Sequence, residues 1–302
     1  MEETARRDRL YWAHATQRGG PGSGPGGGPA ARLSYRRDIR PALPPAAAGP
    51  VVDIGCGQGG LVALLVADGY AAEGIELSPG QVAIARAAGL TEVHQGDYRE
   101  LLAARPASVS AITATDLLEH LGKQEVLDTF DAVAAALLPG GVFIGRLPNA
   151  ASPLGGGSQH GDFTHETAFT GRSIRQLAAA AGFRSLAIRP CAPVADGLLG
   201  AGRVAVWKPV SALFRLALAA ETGVLRGHIL TQDLIFVART GRVSGPASAG
   251  PRRCLGRATR RDEGAPGSEE GRQCGQTGGL PRAASTAYLQ VSAYWPVEST
   301  RS

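Results

Sequence analysis

The sequence predicts an α/β fold: a doubly wound, seven-stranded sheet with helices on both faces, followed by a disordered carboxyl-terminal tail. Three observations carry this. From Val51 to about Thr240, short apolar runs alternate with segments of helical periodicity, the pattern of a sheet with crossover helices. The first run, Val51-Val52-Asp53-Ile54, opens into the glycine-rich turn Gly55-Cys56-Gly57-Gln58-Gly59-Gly60 and then a helix. After Thr240 periodicity stops, and residues 241–302 carry ten glycines, five prolines and nine arginines, a composition that cannot bury a core.

Three regions follow. Residues 1–31 comprise a short helix over 1–17, with Leu10, Tyr11 and Trp12, and a Gly/Pro-rich linker; 32–240 form the folded domain; 241–302 form the tail. Within the domain the first strand spans Pro50–Ile54, and Leu61, Leu64 and Leu65 mark a helix that Gly69 ends. A second strand runs from Ala71 to Glu76. Ser78-Pro79-Gly80-Gln81 then places a natural N-cap, a proline at the first helical position and a capping-box glutamine, and this helix closes at Gly89. A third strand surrounds Val93 and a fourth runs from Ser108 to Ala114. A long helix follows, carrying Leu117, Leu118, Leu121, Leu127, Phe130 and Val133, until Pro139-Gly140-Gly141 stops it before a fifth strand, Val142–Gly145.

Segment 149–170 is polar and glycine-rich, with too little apolar content for an element of its own. It leaves the carboxyl end of a strand, where open α/β sheets hold ligands. A helix over Arg172–Ala181 and strands near 184–189 and 229–238 complete the sheet. Between these strands, 204–220 is apolar apart from Lys208 and Arg215. It reads foremost as a buried or lid helix, and otherwise as an amphipathic surface in peripheral contact with membrane or a lipid-linked substrate.

Charge argues against nucleic acid as partner. The chain carries a net +5, but 241–302 hold nine arginines against five acids, which leaves +1 on residues 1–240 with no basic stripe. The four cysteines, Cys56, Cys191, Cys254 and Cys274, are too far apart for a metal cluster or a disulfide framework, and a reducing cytoplasm is expected. No window of ~18 uninterrupted apolar residues predicts a transmembrane segment.

The glycine turn admits two registers. Gly55-x-Gly57-x-x-Gly60 fits a dinucleotide loop, and Asp53-x-Gly55-x-Gly57-x-Gly59 fits something else. Asp53 separates them: a carboxylate at the end of the strand repels a pyrophosphate and attracts a cation. S-adenosylmethionine has no phosphate and carries a sulfonium and an ammonium, so the charge favours it.

With these residues the sequence resembles the class I S-adenosylmethionine-dependent methyltransferases, Rossmann-like enzymes, over roughly 45–240. Asp53, Gly55, Gly57 and Gly59 match their first motif, and Glu76 matches the acid that holds both ribose hydroxyls. Asp97 in Gly96-Asp97-Tyr98 matches the residue that reads the adenine amino group, and Leu138-Pro139-Gly140-Gly141 the turn before their fifth strand. The resemblance implies S-adenosyl-L-methionine as cofactor, with Cys56, Leu77, Tyr98 and Asp116 completing its contacts.

The acceptor is read from 116–170. Thr115-Asp116-Leu117-Leu118-Glu119-His120 lacks the Asn/Asp-Pro-Pro-aromatic stretch of base-amine methyltransferases. Its Glu-His pair resembles ubiquinone-biosynthesis O-methyltransferases and bacterial small-molecule and glycan methyltransferases. Arg146-Leu147-Pro148-Asn149 and Gly161-Asp162-Phe163-Thr164-His165-Glu166 resemble enzymes encoded with bacterial surface-polysaccharide genes. O-methylation of a sugar or other small molecule is therefore expected, with a quinone or phenol acceptor as the alternative and a non-catalytic cofactor-binding regulator as an alternative of another class. A hydroxyl acceptor needs a base. Among His120, His160 and His165, His165 is the expected base, oriented by Asp162 and Glu166, with His120 nearby. Alternatively Asp162 and Thr164 cap the following helix and His165 is merely exposed. No metal is expected; the candidate ligands would be Asp116, Glu119 and His120, whose spacing resembles a Glu-x-x-Glu-His cation motif on one helix face.

Overall fold

The computed structural model describes residues 28–195, 197–224 and 226–241. The helix expected over 1–17 and all but the first residue of the expected tail lie outside them. Helix α1 (Pro29–Ser34) has proline in its first turn, continues through a wider turn over Tyr35–Ile39, and seats Tyr35, Ile39 and Ala42 in the core.

The chain then alternates β1 (Val51–Ile54), α2 (Gly60–Ala67), β2 (Ala72–Glu76), α3 (Pro79–Ala87), β3 (Val93–Gln95), α4 (Tyr98–Ala103), β4 (Val109–Thr115), α5 (Lys123–Ala136) and β5 (Leu137–Pro148). It continues with α6 (Gly156–His160), α7 (Gly171–Ala180), β6 (Ser185–Pro190), α8 (Gly197–Thr222) and β7 (Asp233–Arg239). The seven strands form one sheet in the order β3-β2-β1-β4-β5-β7-β6. Strands β1 to β5 pair in parallel, and β7 is antiparallel to both its neighbours. The expected α/β fold is the one observed. The strand order reverses between β1 and β4, so the crevice at their carboxyl ends is the natural ligand position.

Alternation along the strands feeds two cores. Val52, Ile54, Ile112, Phe143 and Phe236 pack with α5 and α7 on one face, while Val51, Ala111, Val142, Ile144 and Val237 pack with Tyr35, Ile39 and Leu65 on the other. The first core is aromatic: Phe143 stands edge-on to Phe130 and Phe236, with ring centroids 5.4 and 5.1 Å apart. Gly145 makes room for it, since a β-carbon there would fall inside the Phe236 ring.

Several local expectations are corrected. The fourth strand is not followed directly by a long helix: Leu118–His120 form one tight turn, Leu121 is extended, and α5 begins at Lys123 with Glu125 bonded back to the Gly122 N–H at 2.9 Å. Ser78 starts α3, but no capping bond from its side chain forms; its N–H goes instead to Glu76. Helix α4 has only six residues, too short for periodicity to reveal, and is announced by the Asp97 cap on the Arg99 N–H. Segment 149–170 does contain an element, α6. Helix α8 is longer than 204–220 and is not buried: only Gly200 and Ser211 on it are.

Candidate active site

At the crevice, the glycine turn bends over the end of β1. Gly55, Gly57 and Gly59 have φ of +65°, +55° and +76°, values that favour glycine. Two of them are also packed against neighbours: a β-carbon on Gly55 would lie 2.8 Å from Leu117 Cδ1, and one on Gly59 2.7 Å from Val93 Cγ2. A β-carbon on Gly57 would meet nothing within 4 Å, so this edge of the turn is open to a ligand. Glu76, at the end of β2, ties the turn down. Its Oε2 accepts the Gly57 N–H at 2.9 Å and its Oε1 the Ser78 N–H at 2.8 Å. An ionised carboxylate has about four acceptor sites, so both oxygens keep a lone pair for ligand hydroxyls.

Asp53 is buried, 1% exposed. Its Oδ1 accepts the Thr113 hydroxyl at 2.6 Å, and its Oδ2 has no hydrogen-bond partner among the described residues. Burial pushes this carboxyl up to about 7, the Thr113 bond partly opposing and the Glu76 charge adding to the rise. A buried carboxylate with one unpartnered oxygen behind an open turn suits a cationic ligand.

The other expected cofactor contacts divide. Leu77 is exposed beside Glu76. Asp97 caps α4 and is gripped by the Arg99 guanidinium, 2.8 Å away, whose hydrogen bonds hold its carboxyl below the usual range. Three of these residues are engaged within the protein. Tyr98 turns into the core, where its hydroxyl meets Thr129 Oγ1 at 2.8 Å. Cys56 packs on Gly74, whose β-carbon would sit 2.6 Å from its Sγ, and burial drives its thiol up, so it contributes shape more than charge. Asp116, at φ +54°, forms an ion pair with Arg146 of β5.

Next to the turn, a second cluster forms. Glu119 and His120 lie on the tight turn after Leu117, and His165 reaches them from the segment after β5, because the Glu166 and Thr167 N–H groups both bond the Glu119 carbonyl, at 2.8 and 3.1 Å. The ligand atoms of Glu119, His120 and His165 lie within 4.8 Å of one another, and the two imidazole rings meet edge to face at 4.7 Å. Glu119 is 1% exposed, its Oε2 has no hydrogen-bond partner among the described residues, and burial, then the Asp116 charge, push its carboxyl up to about 8.

The hydrogen bonds set the imidazole tautomers. The Thr164 hydroxyl donates to Asp162 Oδ1 at 2.7 Å, so at 2.8 Å it accepts from His120 Nδ1. His165 Nδ1 donates to the Gln159 carbonyl at 3.0 Å. In both neutral rings Nε2 is then the basic nitrogen. The His165 side chain is 3% exposed and no helix starts at 162–165, which removes the alternative of a cap with an exposed histidine. Asp162 Oδ2 lies 3.9 Å from His165 Nε2, whereas Glu166 and His160 are exposed and do not orient the cluster. Of the three candidate metal ligands the structure brings Glu119 and His120 together, while Asp116 is engaged by Arg146 and His165 stands beside the other two. As a partner of Glu119 and His120, His165 carries no spacing signal, since it lies 45 residues after His120 in the chain.

A family model described as "Methyltransferase domain" matches residues 30–188, more than half of the chain. The chain belongs to this methyltransferase family. The glycine turn, Glu76 and Asp53 fit S-adenosylmethionine by shape and charge. The methyltransferase is 37% identical over 127 residues to a ubiquinone biosynthesis O-methyltransferase of Xylella fastidiosa, covering 40% of this chain and 49% of that protein. A protein of the same name from Xanthomonas campestris is 37% identical over 127 residues, covering 40% of this chain and 51% of that one. The chain thus spans about half the length of the curated relatives it matches. Among solved structures, an S-adenosylmethionine-dependent methyltransferase from Archaeoglobus fulgidus shares the fold, with a TM-score of 0.54 and 19% identity, covering 70% of this chain and 93% of that one.

Proposed function

We propose that this methyltransferase moves a methyl group from S-adenosylmethionine to a hydroxyl oxygen of a small phenolic acceptor of the quinone-precursor type. One observation carries the reading: a buried cluster able to take a hydroxyl proton, Glu119, His120 and His165, stands beside the cofactor turn, joined to it through the Gly55–Leu117 contact. The names of the curated relatives favour a phenol over the surface glycan to which 146–170 pointed.

In this reading Gly55, Gly57 and Gly59 shape the cofactor cradle, Glu76 takes the ribose hydroxyls, Asp97 faces the adenine and Asp53 supplies the countercharge. The sulfonium provides an already activated methyl carbon. With the donor held there, it would pass this methyl to the acceptor oxygen and leave as the neutral thioether, while His165 Nε2 would take the hydroxyl proton. The bond from His165 Nδ1 to the Gln159 carbonyl keeps the ring in the tautomer this requires.

A second reading is favoured by the unpartnered Glu119 Oε2: the same three side chains would hold a divalent cation, which would lower the pKa of an acceptor hydroxyl. The test uses labelled S-adenosylmethionine with phenolic quinone precursors, nucleotide sugars and polysaccharide fragments, before and after dialysis against a chelator. Label in the phenols supports the proposal, and label in the sugars alone overturns it. A rate lost on chelation and restored by added divalent cation selects the second reading; an unchanged rate selects His165 as base.

A further inference from the structure

Helix α8, inserted between β6 and β7, is apolar on its outward side as well as its inward one. Its inward stripe, Val204, Trp207, Ser211, Phe214 and Leu218, is at least half-buried against the domain. On the opposite side Leu198, Leu199, Val206, Leu213 and Leu216 point away from it, from 64% exposed at Val206 to 93% at Leu198. Gly202, Pro209, Ala217 and Ala220 fall on the same outward stripe, which therefore carries no polar side chain along ~30 Å at 1.5 Å per residue. An apolar strip of this length on a helix surface marks a contact.

Two features decide which contact. The charged residues of α8 are Arg203, Lys208 and Arg215 against Glu221 alone, so the apolar stripe is flanked by cations. Lys208 and Arg215, with His228, also line a concavity of about 340 Å³ under the helix whose wall, among the described residues, has no carboxylate. A second copy of the helix would bring these cations face to face, and Gly202 and Pro209 would leave gaps where interdigitating side chains are needed. A bilayer surface has neither objection: acyl chains fill gaps, and anionic headgroups meet the cations. At 26 residues, with three basic and one acidic residue and an interior proline, α8 is not apolar enough to cross a membrane.

We infer that α8 docks this methyltransferase onto an anionic membrane surface, lying in the interfacial plane with Leu198, Leu199, Val206, Leu213 and Leu216 inserted. The inference goes beyond the proposed function and stands on this helix alone, whichever acceptor is methylated.

The test is co-sedimentation of the full chain with vesicles, either phosphatidylglycerol and phosphatidylcholine in equal parts or phosphatidylcholine alone, without cofactor or acceptor. Binding is expected to the anionic vesicles, to fall at least tenfold on pure phosphatidylcholine or in 0.5 M salt, and at least tenfold in Leu213→Glu/Leu216→Glu. Circular dichroism checks that this variant is folded, and Leu213→Ser/Leu216→Ser replaces it if not. Equal sedimentation of wild type and variant, or no binding of the wild type to either vesicle, overturns the inference. A wild-type dimer that the same variant converts to monomer, without vesicle binding, assigns the stripe to a second copy and also overturns it.

Discussion

Thr113 donates its hydroxyl to Asp53 across the β1–β4 pair at 2.6 Å, and the two residues are register partners at the point where the strand order reverses. The Thr113 hydroxyl is the hydrogen-bond partner of one carboxylate oxygen, while the other, Oδ2, is buried without one among the described residues. The pair therefore sets the charge at the floor of the cofactor crevice.

A pH dependence follows. Burial raises the Asp53 carboxyl from 3.8 to about 7. The native state holds a proton there that the unfolded chain has lost, so the Asp53 contribution to cofactor-free stability falls as pH rises from about 4 to about 7 and is flat above, while Glu119, raised to about 8, continues the fall to about pH 8. Affinity for the cationic cofactor runs the other way, rising through about pH 7 as Asp53 ionises. Urea unfolding and calorimetric titration with S-adenosylmethionine at pH 6, 7 and 8 check both slopes. Asp53→Asn should make the stability slope shallower, leaving the Glu119 share, and flatten the affinity slope, and Thr113→Val, which removes the opposing hydrogen bond, should move the affinity midpoint above that of the wild type.

Glu76→Gln replaces two carboxylate acceptors with one oxygen and an amide that cannot accept. One of the Gly57 and Ser78 N–H groups then loses its partner, a loss of roughly 1–3 kcal/mol. The expected result is a lower thermal midpoint together with at least tenfold weaker cofactor binding. Unchanged calorimetric affinity would remove Glu76 from the cofactor contacts.

Gly57 and Gly59 should separate binding from folding. Both have positive φ, which costs alanine about 1–2 kcal/mol. Only Gly59→Ala also drives a β-carbon into Val93 and Leu90, so it should destabilise the fold by more than Gly57→Ala does. Gly57→Ala places its methyl on the open edge of the turn, and its larger effect should be on cofactor affinity. Chemical denaturation and cofactor titration of both variants decide this.

His165→Ala should leave cofactor affinity within about twofold and slow methyl transfer by ~10²–10⁴-fold, the range for loss of a positioned base. Wild-type single-turnover transfer by this variant would end its assignment.

Much of the fold was legible because it is written in contiguous signals. Val51–Ile54 followed by the glycine turn and the step from Asp53 to Glu76 each declare a local structure that burial then leaves in place, whereas Pro139-Gly140-Gly141, expected to precede the fifth strand, lies within β5, which already begins at Leu137. Helix α4 escaped because six residues give too little periodicity, and the start of α5 was misplaced because Leu117, Leu118 and Leu121 are apolar for a different reason. They line the crevice and the core from a tight turn and an extended residue.

By itself the sequence determined the class of fold and the chemistry of the donor, since both depend on residues close along the chain whose side chains act through backbone shape and charge. Only the tertiary structure decided the rest. His165 meets Glu119 and His120 because the segment after β5 folds back and bonds the Glu119 carbonyl, a contact that no spacing encodes. Asp116 is diverted to Arg146 because β4 and β5 place them side by side. The apolar content of α8 was plain in the sequence, yet which of its faces stays outside depends on what the rest of the domain covers.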